Sequence, residues 1–89
     1  MPERRVKVGS KVGLHARPAA MFVQAAAKQP VKVTIAKAGA EPVDAASILD
    51  VVTLDVRGGE EVILTAEGDG AEQALDELVE VVEADHDAT

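Results

Sequence analysis

Ala71, Ala74, Leu75, Leu78, Val79 and Val82 recur at the three- and four-residue spacing that lines one side of an α-helix, while Glu72, Asp76, Glu77, Glu80 and Glu83 fill the other side. An apolar stripe over three turns is stable only when another layer covers it. Two stretches of alternating side chains offer that layer: "RRVKV" at residues 4–8, and "VKVTIAK" at residues 31–37, which places Val31, Val33 and Ile35 on one face. Both predict half-buried strands.

The remaining elements follow from local chemistry. "AGAEP", around Gly39 and Pro42, has turn residues that predict a hairpin into a short third strand near Val43, and "VILTA" at residues 62–66 reads as a fourth strand after Gly58 and Gly59. Ala19, Phe22, Val23 and Ala26 form the core face of a first helix, which Pro30 ends. Ser47 and Asp50 have the Ser-x-x-Asp spacing of an N-terminal cap and predict a helix of a turn or two from Ser47 to about Val52. Asp69 and Glu72 suggest a capping-box start for the last helix, and the tail "ADHDAT" is expected to fray from about residue 84. The order is strand, helix, strand, strand, helix, strand, helix. With short connections it predicts an α+β fold of two layers, an antiparallel sheet with helices on one face and the other face open to water.

At 89 residues with 47% hydrophobic side chains, the chain is expected to form one domain over residues 1–89. No apolar run approaches the ~18 residues of a membrane span, and "MPERRVKV" lacks the apolar stretch of a signal peptide, so a soluble cytoplasmic protein without membrane insertion is expected. The absence of cysteine removes disulfides, thiolate nucleophiles and cysteine-ligated metals. A net charge of −7, with Phe22 as the sole aromatic residue, argues against nucleic acid as a partner. The charge is uneven: of nine Lys and Arg, only Arg57 lies beyond residue 37. This asymmetry suits either the steering of an acidic partner to the basic half or an acidic surface adapted to a salty cytoplasm.

"VGLHARPAAMFV", residues 12–23, places His15 and Arg17 where the first helix begins. Leu14 can anchor the helix start as a hydrophobic staple, and Ala16 to Pro18 form a first turn in which proline gives up an N–H that has no intrahelical partner. Free backbone N–H groups, the positive end of the helix dipole and the Arg17 guanidinium together make an anion site. The dipole disfavours a charged imidazole, so a neutral His15 can attack phosphorus, and the donors then hold the phosphoryl oxygens. The residues alone leave this reading open beside another, in which His15 is a polar loop residue and Arg17 a solvated one. No Ser-His-Asp constellation, H-E-x-x-H motif or phosphate-binding glycine loop accompanies them, so neither a metal nor another cofactor is expected. The other histidine, His86, reads as a tail residue.

"GLHARPAAMFVQAA" resembles the signature of the HPr family, the histidine-containing phosphocarriers of the sugar phosphotransferase system. "ASILDVVTLDVRGGEEVILTAEGDGAEQALDELVEVV" is similar to the family's second half, so the resemblance covers nearly the whole chain. It implies an open-faced β-sandwich, with a four-stranded antiparallel sheet of order 1-4-2-3 covered on one face by three helices. It also implies a monomeric carrier that is not an enzyme by itself. His15 would accept a phosphoryl group on Nδ1 from phospho-enzyme I and pass it to an enzyme IIA domain, in support of sugar uptake. Arg17 and the backbone at Ala16 would hold the phosphate. Ala20, Met21, Ile48 and Leu49 match the partner-docking positions.

Ser47 matches the family's regulatory serine, the target of an HPr kinase in some bacteria. Its local setting favours a plain helix cap, because Asp44 and Asp50 would oppose an added phosphate and because Ala46 and Asp50 replace a usual lysine and glycine. Val12 also departs from the family, which commonly has Asn or Ser there, and leaves the orientation of the imidazole to backbone groups or Ser10. A second function fits the same surface: a regulatory module that binds a partner without carrying phosphate. The presence of both His15 and Arg17 favours the carrier.

Overall fold

The computed structural model describes residues 2–9, 13–14 and 16–84. Their elements are β1 (Glu3–Lys7), α1 (Ala16–Ala27), β2 (Val33–Lys37), β3 (Val43–Asp44), α2 (Ile48–Thr53), β4 (Glu61–Ala66) and α3 (Ala71–Glu83). The sheet has four strands in the order β1-β4-β2-β3, every neighbouring pair antiparallel. This is the architecture expected from the sequence.

Register explains which face is buried. Val6 lies opposite Val62, Ile35 opposite Leu64 and Val33 opposite Ala66, so these side chains share the face on which the helices pack. All six are buried. The opposite face carries exposed Glu3, Arg5 and Lys7 and half-buried Thr34, Ile63 and Thr65, with only Ala36 buried among its central positions.

The helices meet the sheet with the stripes read from their periodicity. Ala71, Ala74, Leu75, Leu78 and Val82 of α3 are buried, as are Ala19, Phe22 and Ala26 of α1. Phe22 is 0% exposed, and burying a side chain of that size is worth about 3 kcal/mol. Arg4 ties β1 to the solvent side of α3, lying 3.3 Å from Asp76 and 3.6 Å from Glu72. α1 ends in two tightened turns, Lys28 N–H to Ala25 and Gln29 N–H to Ala26, after which Pro30 has no N–H to continue the ladder.

Three local expectations are corrected. α3 has no capping box: its N-cap is Gly70, at φ 88°, with no side-chain hydrogen bond. Gly68 and Gly70 both take left-handed backbone, and this turn starts the helix one residue beyond the position at which Asp69 could cap it. β2 begins at Val33, not Val31, because only from Val33 does a neighbouring strand pair with it. Val31 still packs against the core. β1 ends at Lys7, although Val8 is buried and pairs with the loop before β4. The tail beyond residue 84, with His86, lies outside the described residues.

Candidate functional site

α1 begins at Ala16, so its first-turn N–H groups open toward the end at which the sequence places the anion site. His15 itself lies outside the described residues, as do Ser10 and Val12. Arg17 is exposed on the first turn, while Leu14 is 2% exposed and anchors the chain in the core just before the helix. Pro18 is the third helical residue, within the turn whose amides have no intrahelical acceptor.

The approach to α1 is fixed by contacts that local patterns did not reveal. Val8 N–H donates to the Glu60 carbonyl at 3.0 Å and Gly59 N–H returns a bond to the Val8 carbonyl at 3.0 Å. Gly9 N–H then donates to the Val82 carbonyl at 2.9 Å, near the end of α3. Leu14 N–H donates to the Val56 carbonyl at 2.9 Å. A Cβ on Gly9 would overlap the Glu83 carbonyl oxygen, and one on Gly13 the Val56 carbonyl oxygen. Only glycine allows both approaches. Val8 and Leu14 therefore both rest on the same loop, the one between α2 and β4.

Beside α1 lies α2, packed against it. Ser47 is the N-cap of α2, its Oγ accepting the Asp50 amide at 3.3 Å, as the Ser-x-x-Asp spacing predicts. Asp44 Oδ1 accepts the Ala46 amide at 2.9 Å and shapes the turn that leads to the cap. Of the positions matched to docking, Met21 is 40%, Ile48 46% and Leu49 73% exposed, and Ala20 is half-buried. Val52, at 38%, joins them and was missed. Its place four residues after Ile48 and three after Leu49 is the signal that would have found it. Four large apolar side chains left in water on a chain this small mark a surface made to meet something.

No group of three or more His, Asp or Glu among the described residues is placed to hold a metal, and no helix among them is long and apolar enough to cross a membrane.

Comparison with known proteins returns the same fold. The family model described as "PTS HPr component phosphorylation site" matches residues 2–84. The chain belongs to the HPr family. It is 55% identical over 82 residues to the phosphocarrier protein HPr of Streptomyces coelicolor, covering 92% of this chain and 88% of that one. A crystallised HPr from Thermoanaerobacter tengcongensis superposes with a TM-score of 0.87 at 42% identity, over 93% of this chain and 92% of that one. A crystallised HPr dimer from the same organism gives a TM-score of 0.71 at 42% identity, over 93% and 94% of the two chains. As a member of the HPr family this protein is a phosphoryl carrier of the phosphotransferase system.

Proposed function

We propose that His15 carries the phosphoryl group. The imidazole Nδ1 lone pair attacks phosphorus on phospho-enzyme I, the bond to the donor breaks, and the group leaves again when a nucleophile on an enzyme IIA domain attacks in turn. Arg17 and the amides at the start of α1, Ala16 first, face the phosphoryl oxygens and lower the energy of the crowded, highly charged transfer state. Ala20, Met21, Ile48 and Leu49 form the docking patch, since Met21, Ile48 and Leu49 leave apolar surface in water beside the start of α1. The observation that supports this reading best is the start of α1 at Ala16 with Arg17 exposed beside it.

The carrier works as a single cytoplasmic domain over residues 1–89, monomeric and without activity of its own in the absence of partner proteins. Phosphorylation of Ser47 by an HPr kinase is a secondary reading. The cap bond from Ser47 Oγ to the Asp50 amide, with Asp44 and Asp50 close in sequence, speaks for a structural role.

Incubation with enzyme I and phosphoenolpyruvate, followed by intact-mass analysis, tests the assignment. The expected product is one acid-labile, base-stable phosphoryl adduct that the His15→Ala variant does not acquire. Wild type without the adduct, or His15→Ala with it, overturns the assignment.

A further inference from the structure

The backbone on either side of the carbonyl that holds Leu14 is bonded by side chains. Lys37, the last residue of β2, donates from Nζ to the Asp55 carbonyl oxygen at 3.2 Å and lies 3.7 Å from Glu60 Oε1. The same Glu60 oxygen accepts the Arg57 amide at 2.8 Å. Between these two fixed points stands Val56, whose carbonyl oxygen takes the Leu14 amide and abuts Gly13. Asp55, just before it and just after the C-cap of α2, has φ 54°, the left-handed backbone usual at a helix end and one that Asp tolerates better than most residues.

We propose that Lys37 and Glu60 are positioning residues for phosphoryl transfer. They form a clasp on the loop segment Asp55–Val56–Arg57 that aims the Val56 carbonyl at Leu14, and through Leu14 sets the start of α1 on which the phosphoryl group is received. This rests on the assignment of His15 above. The side chains of Lys37 and Glu60 are 31% and 40% accessible, so their ion pair adds little to global stability. What the clasp controls is the direction of one carbonyl. Transfer reactions are sensitive to such control, because displacing a reacting group by ~1 Å can slow a reaction by about 100-fold.

The test pairs amide hydrogen exchange at Leu14 with transfer kinetics from phospho-enzyme I, using wild type, Lys37→Met, Lys37→Arg and Glu60→Ala. In Lys37→Met and Glu60→Ala, Leu14 is expected to exchange about tenfold faster and kcat to fall about tenfold, with KM within about twofold of wild type and an unchanged unfolding midpoint. Lys37→Arg, which keeps a cationic donor, restores both. Wild-type kcat in Lys37→Met, or a lowered unfolding midpoint with kcat intact, overturns the proposal while leaving His15 in its role. An unchanged Leu14 exchange rate in both variants overturns it independently of any phosphoryl chemistry. Wild type that takes up no phosphoryl group overturns the His15 assignment and this proposal together.

Discussion

Gly13, at φ 78°, lies so close to Val56 that a Cβ on it would overlap the Val56 carbonyl oxygen. Two independent penalties therefore oppose any side chain there, the left-handed backbone and the collision. Gly13→Ala is expected to destabilise the protein by about 3 kcal/mol or more. Urea unfolding of this variant measures the loss directly.

Asp55 occupies the position after the C-cap of α2, where its own amide donates to the Val52 carbonyl at 3.1 Å. Glycine is the usual residue at such a left-handed helix end. Asp55→Gly is expected to leave stability unchanged or raise it by about 0.5 kcal/mol, whereas Asp55→Val, β-branched and unable to relax, lowers it by about 2 kcal/mol. The difference between the two unfolding midpoints is the quantity to compare.

Ser47 caps α2 through one hydrogen bond to the Asp50 amide. Removing the oxygen in Ser47→Ala lowers stability by about 1 kcal/mol, and Ser47→Asp, which keeps an acceptor at the cap, retains most of it. Thermal unfolding of both variants decides whether the cap is what the serine supplies.

Leu49 is 73% exposed, so folding gains little from it. Leu49→Glu is expected to change stability by less than about 0.5 kcal/mol, yet to raise KM for the phosphoryl donor by about tenfold or more, as loss of an apolar anchor at an interface does. Steady-state kinetics with enzyme I as the varied partner separates the two effects. A wild-type KM would remove Leu49 from the docking patch.

Arg17 is exposed on the first turn of α1, and the proposed role of its charge is to face the phosphoryl oxygens. Arg17→Glu is expected to slow transfer roughly 100-fold, because a carboxylate replaces a donor that faces developing negative charge. The circular dichroism spectrum and unfolding midpoint should stay at wild-type values.

The elements that one side of a helix or strand defines were legible in the sequence. Ala19, Phe22 and Ala26 in α1, the alternation in β4 and the serine cap of α2 all stand where their spacing places them. The start of α3 was misread because Asp69 and Glu72 fit a local rule that the left-handed Gly68 and Gly70 override. At the candidate site, His15 and Arg17 stood out through a motif, and the exposed apolar positions through resemblance. Their support did not stand out. Gly13 meets Val56, Gly9 meets Val82 and Lys37 meets Asp55 across long stretches of chain, and only the assembled sheet and helix layer bring those partners together.

The bond from Gly9 N–H to the Val82 carbonyl has a consequence for when the protein becomes competent during synthesis. Among the described residues β1 pairs with β4 alone, and Val8, Gly9 and Leu14 rest on the loop before β4 and the end of α3. Each of those supports is translated after the motif it serves. A nascent chain on the ribosome thus carries Gly9 and Leu14 long before their partners exist, and the contact of Gly9 with Val82 must wait until α3 has left the exit tunnel.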